Sequence, residues 1–345
     1  MEIGVYSFGD VQKRDGKLGS TAEAITNLLE AIQLADKVGL DFFGVGEHHT
    51  EYFPASSPST ILAAAAATTE QITLSSAVSV LSTDDPVRVY QQFATANIVS
   101  GGRVEIIAGR GSSVESFPLF GYDLKDYDEL YAEKLSLLLQ INNSPTGRIS
   151  WQGKFRPALS DVEVVPRPEK PMKIWLATGG NPESSVRAAQ LGLPIAYAVI
   201  GGRISRFAPL VELYRQAGKQ FGMPDAEMKI AIASPGYIAE DGSEAKETFW
   251  KAWREAMETL GKVRGFAAPS RAHFDSESNE DGALFAGSPE EIAERIIKLH
   301  SQIRHSRHFF QMDVGQMPHE KFLHAIILLG TKVAPLVRKA LKDGN

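Results

Sequence analysis

The sequence contains no cysteine. That absence excludes disulfides, thiolate metal sites, iron–sulfur clusters and thiol nucleophiles together. Positive charge is not in excess: 36 Lys and Arg against 42 Asp and Glu give a formal net charge of −6, and no basic face stands out. Nucleic acid is therefore not an expected partner. No apolar run reaches the ~18 residues a membrane span needs. The opening Met1-Glu2-Ile3-Gly4-Val5 has no charged stretch leading into an apolar one, so no secretory signal is expected. A soluble, cytoplasmic protein with no membrane partner is the expectation.

What is present is a repeating rhythm over 345 residues. That length is long for an average domain but ordinary for an α/β barrel with insertions folding as one unit, so a single domain over 1–345 is expected. A strand is predicted over 3–8. Thr21 before Ala22-Glu23-Ala24 reads as a capping-box-like helix start, with Ile25, Leu28, Leu29, Ile32 and Ala35 at helical spacing up to Gly39. Residues 41–46 form a short apolar run with glycine at 39, 44 and 46, a buried strand that ends abruptly in Glu47-His48-His49. Ser57-Pro58 opens a second helix. A β-branched strand over 72–81 leads to Thr83-Asp84-Asp85-Pro86, with Pro86 in the first turn of a third helix that stops at Ser100-Gly101-Gly102. A fourth strand over 104–108 closes in Gly109-Arg110-Gly111-Ser112, and a fourth helix covers 127–141. The rhythm breaks over 142–171, read as an insertion with a small hairpin at Trp151-Gln152-Gly153-Lys154. It resumes with strands over 173–177, 194–200, 229–237 and 308–314. Helices follow from Glu183, through Leu210 and Tyr214, over 241–260, from Ser288-Pro289-Glu290-Glu291 and from Pro318-His319-Glu320.

Eight alternations predict a (β/α)8 TIM barrel, with an insertion between helix 4 and strand 5 and a lid-like loop over 264–287 before helix 7. A doubly wound sheet is the alternative, but it needs G-x-G-x-x-G after its first strand. Gly44-Val45-Gly46 and Gly109-Arg110-Gly111 both lack the third glycine.

In a barrel the segments after each strand gather on one face. Here they offer Glu47, His48 and His49; the Ser75-Ser76-Ala77 region within the third strand and Ser82-Thr83 at its end; Arg110 and Ser112; Thr178, Gly179 and Gly180; Gly201-Gly202-Arg203; Asp313 and Gln316. Glycines before the helix start at Pro182-Glu183 allow amides close to an anion, and Arg110 on the neighbouring strand end suits a phosphate. The alternative is a tight turn with Arg110 paired to a carboxylate. His48 and His49 have three readings: a structural pair, metal ligands, or an acid–base group. Adjacent strand residues point opposite ways and no second histidine motif completes a metal site, so metal is the weakest. His300, Arg304, His305, Arg307 and His308 are expected at the opposite end of the barrel as a solvated helix terminus. Trp175 and Phe309-Phe310 are expected in the core. The 264–287 segment reads either as a lid or as a surface loop.

Glu47-His48-His49, Asp85-Pro86-Val87-Arg88, Gly101-Gly102-Arg103-Val104-Glu105 and Ala108-Gly109-Arg110-Gly111-Ser112 together resemble the bacterial luciferase-like flavin-dependent monooxygenases. The resemblance continues through Tyr127-Asp128-Glu129-Leu130, Thr178-Gly179-Gly180, Pro289-Glu290-Glu291 and Met317-Pro318-His319-Glu320. It implies a (β/α)8 barrel and FMN, taken in reduced form from an NAD(P)H-dependent flavin reductase. It also implies O2 chemistry through a C4a-hydroperoxyflavin on a small organic substrate, often in dimers or larger assemblies. By resemblance Arg110 and Ser112 belong to the phosphate-binding stretch with Thr178, Gly179 and Gly180. Ser76 and Ala77 lie under the isoalloxazine ring, where the family often has a non-proline cis peptide. His48 matches the catalytic histidine, with Glu47 beside it. Gly109 stands where luciferase has a cysteine and is expected to leave room; light emission is not implied. An FMN-dependent reductase or dehydrogenase, a flavin binder without catalysis and a metal-dependent hydrolase are the rival readings.

Overall fold

The computed structural model describes residues 1–14, 17–111, 114–265 and 267–343. Eight strands carry the architecture: β1 (Glu2–Ser7), β2 (Phe42–Val45), β3 (Thr73–Ser76), β4 (Val104–Gly109), β5 (Ile174–Thr178), β6 (Ile195–Ala198), β7 (Ile230–Ile238) and β8 (Arg307–Gln311). Each pairs in parallel with the next, and β8 returns to β1 with Glu2 opposite Arg307 and Tyr6 opposite Gln311. The sheet is thus a closed (β/α)8 barrel. Helices between the strands cover its outer face, so strands are buried on both sides and read as near-continuous apolar runs. All nine residues of β7 are buried.

The helices are α1 (Thr21–Lys37), α2 (Pro58–Ala66), α3 (Pro86–Val99), α4 (Ser116–Phe120), α5 (Tyr127–Asn143), α6 (Pro182–Gln190), α7 (Ala208–Gln220), α8 (Gly242–Arg264), α9 (Arg271–Glu277), α10 (Pro289–Ile303), α11 (His319–Leu328) and α12 (Ala334–Asp343). Their starts follow local chemistry. Asp85 accepts the Val87 and Arg88 amides ahead of Pro86. Ser288 and Glu291 form a reciprocal capping box. The cap of α1 is one residue earlier than expected: Ser20, not Thr21, accepts the Ala22 amide. Among the described residues no helix is long and apolar enough to cross a membrane.

Inside the barrel, large rings alternate with small side chains. Tyr6, Phe42, Ile107, Trp175 and Phe309 pack against Ala77, Ala196, Ala231 and Ala233. The bulky and small residues come from different strands, which lets one layer fill without voids. Below them the Arg307 guanidinium lies 4.3 Å from the Phe42 ring centre and 4.6 Å from that of Trp175, paired with Glu2 and Glu105. This corrects the expectation of a solvated basic cluster. The end of the barrel is the expected one, but His305, Arg307 and His308 are fully enclosed. Burial keeps both histidines neutral, pushing His305 well below its ordinary value and His308 down to about 3.

Three connections differ from the periodic reading. The strand expected over 72–81 stops at Ser76, passes a cis Ala77–Val78 peptide, resumes at Ser79–Val80 and turns into a short 3-10 helix at Leu81–Thr83. The insertion carries an antiparallel hairpin, Arg148–Trp151 with Leu159–Glu163, wider than residues 151–154 suggested. Glu133 of α5 accepts the amides of Lys154, Phe155 and Arg156 and docks its turn. The 264–287 segment is not a bare loop. It holds α9, whose Phe274 is buried against Trp250 and Trp253, and a strand at Phe285–Gly287 that pairs with the end of β7.

Candidate active site

The carboxyl ends of the eight strands form one mouth. At the end of β2 the extended backbone sends successive side chains to opposite sides. Glu47 and His49 go one way: Glu47 Oε1 is 3.0 Å from His49 Nε2, and its Oε2 accepts the Val80 amide at 2.8 Å. They line a side cavity of about 110 Å³ with Asp84, Gln92 and Phe120. His48 goes the other way. Its ring meets Phe8 at 4.4 Å and Phe53 at 5.3 Å, and its Nδ1 is 3.0 Å from Glu115 Oε1. Burial pushes the Glu115 carboxyl up, but the His48 hydrogen bond and nearby backbone N–H groups outweigh it and bring it down to about 2.

The next three strands place the remaining expected residues. The Ser76 hydroxyl is turned into the sheet, bonded to the backbone N–H and C=O of Ile107, and so splices β3 to β4. Ala77 faces the barrel axis within the interior cluster, with Val78 and Ala177 packed beside it. Gly109 does not leave room: a Cβ there would come within 2.6 Å of the Val78 side chain, which fills the space. Arg110 follows on the rim, bonded to Asp128 at 2.5 Å and 5.5 Å from the Tyr127 ring centre. Ser112 lies outside the described residues.

The register of β4 against β5, Leu176 opposite Ala108, brings Arg110 next to Thr178, Gly179 and Gly180. The Thr178 hydroxyl accepts the amides of Gly180 and Asn181, both at 3.2 Å, which makes the turn. Gly179 borders open space, with nothing within 4 Å of a Cβ placed on it. The Arg110–Asp128 pair and the Thr178 turn are what the second expectation described, a tight turn with Arg110 paired to a carboxylate.

Across the mouth, β1 and β8 supply a second polar group. Ser7 donates to Asp313 and accepts the Gly9 amide at 2.8 Å. Asp10 and Asp313 are both buried, each with one oxygen lacking a partner in the described structure, as has Gln316 Oε1. Burial raises both carboxyls above their usual range, and the charge of Asp313 raises Asp10 further.

Sequence reading missed Glu115, Phe8, Phe53 and Asp10. Asp10 followed a predicted strand end and could have been found on that ground. Glu115 is a lone acid in a connection and carried no signal. Among the described residues no group of three or more His, Asp or Glu is placed to hold a metal ion.

The residues present suit a planar ring with an anionic tail. The floor above the aromatic layer is small and apolar, with Ala77 and Ala233 at 9% and 7% exposure where Phe42 and Trp175 have none. The unobstructed Gly179 follows β5, the strand that pairs with the one ending just before Arg110.

Comparison with known proteins agrees with this architecture. A family model described as luciferase-like monooxygenase matches residues 1–306. A luciferase-like monooxygenase of Escherichia coli is 28% identical over 70% of this chain and 69% of its own. The N-acetyl-S-alkylcysteine monooxygenase of Bacillus subtilis is 24% identical over 82% and 85%. Among solved structures, monooxygenase RslO1 from Streptomyces bottropensis superposes with a TM-score of 0.84 at 22% identity, covering 97% of this chain and 99% of its own. The oxygenating constituent of 3,6-diketocamphane monooxygenase from Pseudomonas putida, in complex with FMN, gives 0.76 at 18%, covering 98% of each. An F420-dependent secondary alcohol dehydrogenase gives 0.77 at 16%, covering 98% and 99%. At these identities the structures establish the fold.

Proposed function

The chain belongs to the luciferase-like monooxygenase family of oxidoreductases, and on that premise we propose that it binds reduced FMN and uses it with O2 to oxygenate a small organic substrate. The observation that carries the reading is the pairing of β4 with β5, which puts the strand ends that carry Arg110 and Thr178-Gly179-Gly180 side by side. Reduced flavin would supply the electrons that activate oxygen, one atom going to the substrate and the other leaving as water. A separate NAD(P)H-dependent flavin reductase would deliver it.

The chain's own groups have narrower tasks. Arg110 and the Gly179 backbone hold the phosphate, with Arg110 exchanging or sharing its exposed partner Asp128. Ala77, Val78 and Ala177 give a flat apolar seat. Phe8 and Phe53 exclude water beside His48, whose Nε2 holds or passes a proton at the reacting end. Losing a charged hydrogen-bond partner costs ~1.5–3 kcal/mol, so Arg110→Ala should weaken FMN binding roughly tenfold to a hundredfold. Fluorescence titration checks this, and an unchanged affinity removes Arg110 from the site.

A second reading, hydride transfer with F420 in place of FMN, draws support from the F420-dependent structural neighbour. Titrating the protein with FMN and with F420 in parallel, then measuring oxygen uptake with reductase and NADH across a substrate panel, separates the two. Preference for F420 with no substrate-dependent oxygen uptake overturns the monooxygenase reading.

A further inference from the structure

We propose that Glu115 is the positioning residue for His48: its carboxylate fixes the imidazole with the proton on Nδ1 and leaves Nε2 as the nitrogen that faces reacting groups. Only the consequence for turnover rests on the flavin reading. The protonation pattern stands on geometry.

Glu115 Oε1 lies 3.0 Å from His48 Nδ1. An ionised carboxylate has no hydrogen to give, so the nitrogen must carry it. The depressed carboxyl keeps Glu115 ionised across the working pH range. The ring is held against Phe8 and Phe53, and a half-turn about its axis would replace Nδ1 with a carbon and lose the bond.

Glu47, the neighbour in sequence, is not available for this task. Its two oxygens are committed to His49 and to the Val80 amide, on the other side of the strand. His49 bonds its carboxylate through Nε2, so its proton sits there. Two adjacent imidazoles are therefore fixed in opposite tautomers by two carboxylates from different parts of the chain. Glu115 lies in the connection between β4 and α4, five residues after Arg110. One connection thus supplies both the guanidinium at the anion edge and the carboxylate that orients the imidazole.

The test uses the full chain labelled with 15N-histidine, whose ring nitrogen shifts distinguish the two tautomers. Signals are assigned by their loss in His48→Gln and His49→Gln. The wild type should show His48 protonated on Nδ1 and His49 on Nε2. Glu115→Ala should move His48 to the Nε2–H form and leave His49 unchanged. Glu115→Gln keeps the size of the side chain and should give mixed tautomers, which covers the case in which the alanine variant folds poorly. Turnover of Glu115→Ala should fall about tenfold or more with flavin affinity within about twofold. The double variant with His48→Ala should be no slower than His48→Ala alone, as expected of residues acting as one unit. An unchanged His48 tautomer in Glu115→Ala and Glu115→Gln, or losses that multiply in the double variant, overturns the proposal. A changed tautomer with unchanged turnover supports it and instead strikes the role given to His48 in the flavin reading.

Discussion

Gly109 matters for the atom it lacks. A Cβ there would meet Val78 Cγ2 at 2.6 Å and Val78 Cβ at 2.9 Å, and a β-branched side chain has little freedom to yield. Gly109→Cys should therefore cost about 1–3 kcal/mol by overpacking, and Val78→Ala should recover most of it in the double variant. Urea unfolding measures both; a single variant as stable as the parent shows the space is free after all. Arg307 is the opposite case, a large charged side chain with almost no exposure. Arg307→Met leaves the buried Glu105, among the described residues, with a 3.7 Å contact to Lys173. Removing one partner of an enclosed pair costs about 3–5 kcal/mol, and a loss under 1 kcal/mol would show that Glu105 is not dependent on it. Neither role was legible in the sequence. Glu2 and Glu105 are far from Arg307 along the chain, and formal charge alone suggests water. Glu115 was hidden for the same reason: its partner sits on a different strand end.

At the level of elements, legibility followed burial. The strands were readable because the barrel encloses both their faces, so each is an apolar run bounded by glycine or charge. Residues 264–287 were less so, since Ser, Asn and Asp clusters look like loop even where Phe274 and Phe285 anchor a helix and a strand. Ser76 was read as lying within a strand over 72–81, and its hydroxyl bridge to Ile107 depends on register, which periodicity does not give. The α10 start was readable to the residue, because both halves of its capping box are local. Ser288→Ala should cost ~0.5–2 kcal/mol. The same change at Thr21, which is not the cap, should cost less than half as much in the same thermal melt.

The whole molecule titrates through groups it encloses. Burial raises Asp10 and Asp313, so the folded chain binds their protons more tightly than the unfolded one. That contribution is complete below the ordinary carboxylate value near ~3.9 and is lost as pH rises through the raised values. His305 and His308 act in the other sense: their lowered values give stability that is present above ~6.5 and lost as pH falls, through about 3 for His308. Asp313→Asn keeps an acceptor for Ser7 and removes the charge. It should raise the melting temperature more at pH 8 than at pH 4, and equal gains at both would show that Asp313 ionises freely in the fold.

The pairing of β8 with β1 has a consequence for synthesis. Among the described residues β8 alone bridges β7 to β1, and it is the last of the eight to be made. A chain still on the ribosome, or one cut short before Arg307, lacks the strand that pairs with one border of β1 and with residues 231–235 of β7. Such a nascent form is open to sticking to its neighbours until residue 311 has emerged. Premature termination shortly before the codon for Arg307 should therefore yield aggregates in place of a nearly whole enzyme.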